Sequence, residues 1–390
     1  MEKIDTTLFE NKKISFVLSG GVVKAAAWHL GVALALQEIG LNFHHNKTEA
    51  NKLDIKTFIG SSAGAFVSTL LASGFRPDEI VHSLLKTKDV SFKSLTYNDM
   101  ISFRTPIKRP RKSKFYAPFS DFPFYLRQLL RPLANISGVF STVGVANYLK
   151  ENIVTVQSFE DLDADLFVVA SNLDSTQKVI FSKYNYPAPP NNPNISYYTK
   201  TPIVEAVAAS MSVPPLYSPY PIKNHHTKKV EYFIDGDIRD TLSTHIAFDH
   251  GCDIAISSWT HTPYHYQEEI GSLINYGIPA ITIQAIYLMI EKKISQSRIN
   301  FNLYKELIKS TNDYLKSQNI PLDIRKNLTA LMEKKLNFRS NTLMIDIYPA
   351  TSDYQIFYSR FFSLNPQLSS EMVKKGYQRT FEVLRQLNRG

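Results

Sequence analysis

The sequence predicts an α/β protein whose mainly parallel central sheet is covered by helices on both faces, followed by a mostly helical C-terminal extension. Two observations support this prediction. Short apolar, β-branched runs alternate with helix-like segments up to about residue 262, as expected where crossover helices join parallel strands. After about residue 265, helical patterns dominate. We therefore expect an α/β domain over residues 13–262 and a helical extension over residues 263–390 that packs on it.

Each element follows from a local pattern. Residues 14–18 form an apolar run of strand length, and residues 24–39 place apolar side chains at helical spacing. A strand at 53–59 leads into a helix at 63–73, and Pro77 lies in the first turn of another helix. The later pattern predicts strands at 166–170, 179–181, 231–234, 253–257 and 342–347 and a helix at 202–211.

Residues 91–135 interrupt this alternation with a loop-rich insertion. Within it, Arg104–Lys114 holds six basic residues and no acid, and an aromatic-rich stretch follows. Basic residues beside aromatic rings suit the interface of an anionic membrane. A disordered surface loop without a partner would have the same composition. Both interpretations stay open at this point.

Composition limits the classes of partner and compartment. The chain has 390 residues, of which 44% are hydrophobic and 20% charged, and its net charge of +9 favours an anionic partner. The single cysteine, Cys252, excludes an intramolecular disulfide and is expected to be a small buried strand residue. The N-terminus has no uninterrupted apolar run of a signal peptide, and the longest apolar run, Ile278–Ile290, is too short to span a bilayer. We expect a cytoplasmic or peripheral membrane protein, with signal-less export as the alternative.

The stretch FIGSSAGAFV, residues 58–67, places two glycines and two serines between a strand-like and a helix-like run. Gly60, Ser62 and Gly64 match G-x-S-x-G, the strand–turn–helix elbow that exposes a serine hydroxyl at a strained turn. Glycine is needed at both flanks because a Cβ there would clash in so tight a bend. An ordinary glycine-containing turn has the same short pattern, so the nucleophile assignment needs further signals.

A serine nucleophile also requires a base and hydrogen-bond donors for the oxyanion that forms at an attacked acyl carbonyl. The segment LSGGVVKA, residues 18–25, is a glycine turn between the first strand and the first helix. Free N–H groups at such a helix start lie at the positive end of the helix dipole. A phosphate-binding loop is the rival interpretation, but the segment contains neither G-x-G-x-x-G nor G-x-x-x-x-G-K-[ST]. A third signal, FIDGD at residues 233–237, is an Asp-Gly turn directly after a strand.

The three segments, in this order, resemble the patatin-like phospholipase family. LSGGVVKAAAWHLGVALAL is similar to that family's glycine-rich oxyanion segment with its following Lys or Arg and helix. GSSAG matches its nucleophile elbow, and DGD matches the first two positions of its Asp-Gly-Gly/Ala motif. FVVASNLDSTQKVIF and EAVAASMSVPPLYSPY are similar as well, so the resemblance spans about residues 13–260.

The resemblance implies a serine-dependent lipid acyl hydrolase of phospholipase A type, without a metal or cofactor. In such an enzyme Ser62 would be the nucleophile that carries the acyl group, and Asp235 would be the general base. An aspartate with its ordinary pKa is a poor base toward an alcohol, so we expect burial to raise the pKa of Asp235. The other implied residues are the oxyanion-hole N–H donors Gly20, Gly21 and Val22 and the turn glycines Gly60, Gly64 and Gly236.

Two residues depart from the family's pattern. Val22 stands where the family usually has a third glycine, and a β-branched residue would narrow the oxyanion hole if the loop requires a positive φ. Asp237 replaces the usual small residue after Asp-Gly. A second carboxylate beside Asp235 would raise the proton affinity of one of them, but we expect Asp237 to point to solvent.

Three alternatives remain. A Ser-His-Asp triad would use His245, His250 or His261, although none of them lies in a recognisable signature. A lapsed enzyme that keeps the fold would act as a lipid- or membrane-binding module, and Val22 is the reason to consider it. Nucleic-acid binding would rest on net charge alone, because no nucleic-acid motif is present. The sequence does not predict an oligomeric state.

Overall fold

The structure, a computed structural model, describes residues 4–43, 52–88, 90–103, 120–130, 136–188, 193–225, 227–360 and 362–389. The strands are β1 Ile14–Leu18, β2 Asn42–Phe43, β3 Asp54–Ser61, β4 Asp165–Asn172, β5 Lys178–Phe181, β6 Ile195–Tyr198, β7 Tyr220–Lys223, β8 Val230–Asp235, β9 Ile254–Ser258 and β10 Leu343–Ile347. The helices are α1 Val22–Glu38, α2 Ala63–Ala72, α3 Pro77–Leu85, α4 Tyr97–Met100, α5 Phe124–Leu130, α6 Val143–Asn152, α7 Ile203–Ser210, α8 His245–Asp249, α9 Gly277–Ser317, α10 Leu322–Leu336, α11 Gln355–Tyr358 and α12 Pro366–Arg389.

The strands form one sheet in the order β10-β9-β1-β3-β4-β5-β6, with β2 beside β3 and the β7–β8 hairpin beside β4. The pairs from β10 through β9, β1 and β3 to β4 are parallel. The pairs β4–β5, β4–β8 and β7–β8 are antiparallel. Because β1 and β3 are parallel neighbours, their carboxyl ends meet at one edge of the sheet. The two glycine-containing segments of the sequence follow these two strand ends.

Helices bury both faces of the sheet. Successive residues of a strand point to opposite faces, so Phe16 and Phe58 pack into the core on the side of α1 and α2, whereas Val17 and Ile59 pack with α8 and α9. This two-sided burial explains why all five residues of β1 are buried and apolar or small. The predicted class, a mainly parallel sheet flanked by helices with a helical C-terminal part, is confirmed.

The C-terminal region contributes to both the sheet and its helical cover. The strand β10 extends the sheet beyond β9. The helix α12 lies against α1 at two glycines: a Cβ on Gly31 would overlap the carbonyl oxygen of Val373, and a Cβ on Gly376 would overlap that of Trp28. Such close approach places α12 directly behind the helix that follows the first glycine turn.

Some element boundaries differ from those that the sequence predicts. The helix α1 begins at Val22 rather than Lys24, and β3 continues to Ser61. The short strands β2, β6 and β7 are not evident from the sequence. Cys252 is buried just before β9. The described residues of the 91–135 insertion contain the short helices α4 and α5.

Candidate active site

The turn between β3 and α2 holds Ser62 in a strained conformation. Ser62 has φ 52° and ψ −124°, a region that non-glycine residues rarely adopt. A Cβ on Gly60 would overlap the carbonyl oxygen of Gly64, and a Cβ on Gly64 would overlap that of Leu18. The N–H of Ser62 donates to Ser210 Oγ at 2.8 Å. Both glycines are therefore required by close backbone approach, and the serine lies at the tip of the elbow.

Asp235 lies beside Ser62 at the end of β8. The residue is 3% exposed, and its carboxylate faces the side chain of Ser62. Burial raises the pKa of Asp235 to about 6, although hydrogen bonds from Ser62 and from the N–H of Asp237 oppose this rise. A Cβ on Gly236 would overlap the carbonyl oxygen of Val169, which holds this turn close against β4. The fold thus brings together a hydroxyl and a carboxylate that are distant in the sequence.

The turn between β1 and α1 lies against the elbow. A Cβ on Gly20 would stand 2.6 Å from the Cβ of Ser62. Gly21 has φ 123° and Val22 has φ 61°, so two successive residues have positive φ at the start of α1. Within the part of the chain that the structure describes, the N–H groups of Gly21 and Val22 have no protein acceptor. They are thus available to a ligand beside Ser62.

Two buried side chains support this glycine turn, and the sequence analysis did not identify the role of either. His29 contacts the carbonyl oxygen of Ser19 through Nε2 at 2.9 Å and Ser258 Oγ through Nδ1 at 2.8 Å, and burial lowers its pKa to about 4. Lys24 is 3% exposed, and its Nζ donates to the Tyr287 hydroxyl and to the carbonyl of Ile356, each at 3.0 Å. Burial lowers the pKa of Lys24 to about 7. The hints in the sequence are their position on the helix after the glycines and, for Lys24, its match to the Lys or Arg that follows the glycine segment of the family.

The expectation that Asp237 points to solvent is wrong. Asp237 Oδ2 accepts the N–H of Gly20 at 2.6 Å, and Oδ1 accepts the hydroxyl of Ser61. The N–H of Asp237 donates to Asp235 Oδ1 at 2.8 Å. A single 3₁₀ turn after Asp235 turns the Asp237 side chain back toward the elbow, and this reversal depends on tertiary contacts that a sequence pattern does not contain.

The candidate triad histidines have other partners. His245 lies 3.3 Å from Lys178 Nζ, and burial lowers its pKa to about 3. His250 contacts Asp165 Oδ2 at 2.9 Å and the Tyr186 hydroxyl at 2.6 Å. His261 packs edge-on against Tyr287. Within the described ranges, none of the three hydrogen-bonds to Ser62.

An apolar cavity opens beside the glycine turn and the elbow. Its wall includes Val22 from the start of α1 and Ala63 from the start of α2. The rest of the wall is mainly aliphatic and aromatic and includes Phe66, Leu70, Ile80, Phe92, Leu95, Met100, Met211 and Leu364. The residues directly after Ser62 and Gly21 therefore border a small cavity of about 70 Å³, whose apolar wall suits part of a hydrocarbon chain.

The comparison with protein families decides the identity of the fold. The sequence matches the family model "Patatin-like phospholipase" over residues 16–248, which is more than half of the chain and includes both glycine turns and Asp235. The chain belongs to the patatin-like phospholipase family. Among solved structures it is similar to VipD from Legionella pneumophila, with a TM-score of 0.39 and 16% identity over 98% of this chain and 70% of that chain. No match was found among curated proteins.

Family membership confirms the resemblance seen in the sequence and supports lipid hydrolysis as the general activity. Patatin-like phospholipases act on lipid substrates, so a lipid partner follows at the same general level. Within the described ranges, no group of three or more His, Cys, Asp or Glu side chains is arranged to hold a metal ion.

Two segments bear on membrane contact. The basic segment Arg104–Lys114 lies outside the described residues, so its role stays a prediction. Residues Leu273–Ser317, which include α9, contain a window long and apolar enough to cross a membrane, and most of that window is exposed. Length and composition alone are weak evidence for a membrane span.

Proposed function

We propose that this protein is a phospholipase A-type acyl hydrolase in which Ser62 is the nucleophile and Asp235 the general base. The observation that carries the proposal is the contact between the strained Ser62 and the buried Asp235 carboxylate, beside two N–H groups without a protein acceptor. A hydroxyl held at a strained turn, a desolvated base and preorganised donors are the three parts that acyl transfer needs.

The chemistry proceeds in two halves. Ser62 Oγ attacks the ester carbonyl while Asp235 accepts its proton, and the N–H groups of Gly21 and Val22 bind the oxyanion. Collapse of this intermediate breaks the bond to the glycerol oxygen, which takes the proton from Asp235 and leaves as a lysophospholipid. Asp235 then accepts a proton from water, the resulting hydroxide attacks the acyl-enzyme, and the fatty acid leaves as Ser62 regains its proton.

The raised pKa of Asp235 suits this role. A carboxylate with a pKa of about 6 is a stronger base than one with the ordinary value and is still mainly ionised at pH 7. The same burial that raises its basicity excludes water, which strengthens its hydrogen bond to Ser62.

The apolar cavity supports a lipid as the substrate. Because the cavity begins at Val22 and Ala63, an acyl chain that occupies it would place its ester carbonyl near Ser62 and the free N–H groups. A long acyl chain gains about 0.8 kcal/mol for each methylene that leaves water, so chain length should strongly affect KM.

Lipid access requires contact with a membrane surface, and α9 offers a candidate face. Residues 270–290 contain no charged side chain. Ile278 is 80% exposed, and Ile274 and Met289 are more than half exposed. Tyr287 on the same helix binds Lys24 directly after the glycine turn, so this face and the site share one helix contact. We infer that this exposed stretch rests on the lipid surface.

The site proposal is tested by active-site labelling and product analysis. Wild-type protein should react with a serine-directed fluorophosphonate and release fatty acid from phosphatidylcholine vesicles, whereas Ser62→Ala should do neither. Ser68→Ala is the matched control, since Ser68 lies on α2 and its buried hydroxyl has no hydrogen-bond partner. Labelling that persists in folded Ser62→Ala would overturn the assignment of the nucleophile.

One observation favours a second function, a lipid-binding module without turnover. Val22 adopts φ 61°, so its β-branched side chain is strained at the very residue whose N–H would bind the oxyanion. Under this alternative, folded wild-type protein would bind vesicles but would neither label with fluorophosphonate nor release fatty acid.

The membrane face is tested separately. We expect Ile278→Ser combined with Met289→Ser to weaken vesicle binding at constant salt, and reversal of Lys108, Arg109, Arg111 and Lys112 to glutamate to abolish its salt-sensitive part. Hydrolysis of a soluble short-chain ester should survive in both. Unchanged vesicle binding in the first variant would exclude the α9 face.

A further inference from the structure

Asp237 connects the three sequence motifs of the site through hydrogen bonds. Its Oδ2 atom accepts the N–H of Gly20 in the glycine turn, its Oδ1 atom pairs with the hydroxyl of Ser61 in the elbow, and its N–H donates to Asp235. The fold therefore places a second carboxyl group against the oxyanion donors.

The carboxyl group of Asp237 fills the space next to Gly20. A Cβ on Gly20 would overlap Asp237 Oδ2, so the turn and the carboxyl group fit closely. In the motif that this segment resembles, the position of Asp237 holds a small residue. The tie between the glycine turn and the elbow is thus a feature of this chain's own residues.

The charges around Asp237 disfavour its ionised form. Asp235 lies two residues away on the same turn, and Asp240 adds a second negative charge. Burial, followed by the charge of Asp235, raises the pKa of Asp237 well above the ordinary value, although its bonds to Ser61 and Gly20 oppose this rise.

The nearby cations do not offset these charges by direct contact. Lys178 pairs with Asp240, and Lys24 bonds to Tyr287 and Ile356. His261, next to Gly21, has its pKa lowered to about 3 by burial and is neutral over the working range. Lys293 donates to the carbonyl of Ile238, and Arg239 donates to that of Thr176. Among the described residues, uncharged groups that contact Asp237 include Ser61, Gly20 and Thr241.

We propose that Asp237 is a positioning residue that acts as a neutral carboxyl group: protonated, it ties the glycine turn to the elbow, and its ionisation turns the site off. The protonated group can donate to Ser61 Oγ while its other oxygen still accepts from Gly20. An ionised group would place a negative charge beside the oxyanion that Gly21 and Val22 must bind, which opposes the transition state.

The proposal rests on the proposed hydrolase function and predicts a bell-shaped pH profile for kcat/KM. The acid limb reports the loss of the Asp235 base, and the alkaline limb reports ionisation of Asp237 while Asp235 is already charged. On a limb of unit slope, each pH unit beyond the apparent pKa lowers kcat/KM about tenfold.

The decisive variant is Asp237→Asn, whose amide can make both hydrogen bonds but cannot ionise. Each profile of kcat/KM against pH is normalised to its own maximum. The wild-type kcat/KM should fall on the alkaline side, whereas that of Asp237→Asn should stay constant there. Asp237→Ala removes the hydrogen bonds to Gly20 and Ser61 that join the glycine turn to the elbow, and it should lower kcat more than it changes KM. Asp174→Asn, at an exposed carboxylate after β4, should keep the wild-type profile. An unchanged alkaline limb in Asp237→Asn would overturn the proposal, as would inactivation as deep as that of Ser62→Ala in folded protein.

A stability measurement separates this proposal from the proposed function. A carboxyl group whose folded pKa is raised stabilises the fold at low pH, and that stability is lost as pH rises through the folded pKa. The wild-type unfolding temperature should therefore fall with rising pH more steeply than that of Asp237→Asn. If the wild type shows neither hydrolysis nor labelling, the proposed function fails, and this difference still decides whether Asp237 is protonated. Equal slopes of unfolding temperature against pH in the wild type and in Asp237→Asn would overturn the proposal.

Discussion

The two strand–turn–helix junctions of the site each hold a residue with a side chain at positive φ, and they differ in which group of that residue faces the site. The β1–α1 turn holds Val22 at φ 61°, and the β3–α2 turn holds Ser62 at φ 52°. Both positions cost strain energy for a residue with a Cβ. At Ser62 the strain presents a hydroxyl, whereas at Val22 it presents a backbone N–H and turns an apolar side chain into the cavity. A positive φ therefore serves different chemistry at the two turns.

The junctions also differ in what surrounds their glycines. At the elbow, Cβ atoms on Gly60 and Gly64 would meet backbone carbonyl groups. At the other turn, a Cβ on Gly21 would lie 2.8 Å from the Cβ of Ala25 and 2.9 Å from Thr260 Oγ1, which are side-chain atoms. The Cβ of Ala25 moves only with its backbone, and Gly21 has φ 123°, so we expect both turns to reject a side chain: the elbow through overlap with backbone atoms, and the first turn also through its φ.

The largest expected effect comes from the residue that the elbow presents. Ser62→Ala and Asp235→Asn should each lower kcat by about 10⁴-fold or more, and the double variant should lose little further activity because the pair acts as a unit. Single-turnover rates on a soluble ester would measure this. His245→Ala, His250→Ala and His261→Ala serve as comparisons, and a loss as large as that of Ser62→Ala in one of them would restore the triad.

Next in size is the effect of a methyl group at the elbow. Gly64→Ala should destabilise the protein by about 3 kcal/mol or abolish folding, because its Cβ overlaps the backbone of Leu18. Urea unfolding followed by circular dichroism would measure the free energy of unfolding. Ser68→Ala on the same helix should change it by less than about 1 kcal/mol. A stable Gly64→Ala protein would show that the elbow can relax.

The fall of the wild-type kcat/KM below neutral pH should be an effect of intermediate size. Since the pKa of Asp235 is about 6, its base form is lost as pH falls through that value, and kcat/KM should drop about tenfold for each further pH unit. A profile recorded from pH 4.5 to 7.5 on a neutral short-chain ester avoids titration of the substrate. An acid limb centred near pH 4 would show that burial does not raise the basicity of Asp235.

The smallest effect is expected at Val22. Val22→Gly relieves about 1–2 kcal/mol of left-handed strain but loses about 0.5–1 kcal/mol to the flexibility of glycine, so stability should change by about 1 kcal/mol or less. We expect kcat/KM to change only a few-fold, because the N–H donor is retained. Thr176→Gly, at φ 55° on an exposed turn, is the control for strain alone. A rise of about 10²-fold or more would show that Val22 blocks the oxyanion hole.

Much of this molecule was predictable from local patterns. The apolar runs of β1, β3, β4 and β9 predict a buried parallel sheet because strands covered on both faces need apolar residues on both. The glycines of the elbow and of the first turn mark positions where a side chain does not fit. The family resemblance orders these segments, and the family match over residues 16–248 confirms it. The two-residue strand β2 escaped prediction because it carries too little periodicity. The strands β6 and β7 lack the continuous apolar run by which the equally short β5 is predicted.

The sequence by itself determined the fold class, the two glycine junctions and the candidates Ser62 and Asp235, because backbone geometry and burial leave a local record in residue type. Only the tertiary structure decided which side chains meet. Asp237 faces Gly20 and Ser61 rather than solvent, and His29 and Lys24 lie buried behind the glycine turn. Val22 adopts the positive φ that its residue type disfavours. These outcomes depend on contacts between segments more than 100 residues apart, such as Gly20 with Asp237, and no local pattern encodes the direction in which a polar side chain turns at such a contact.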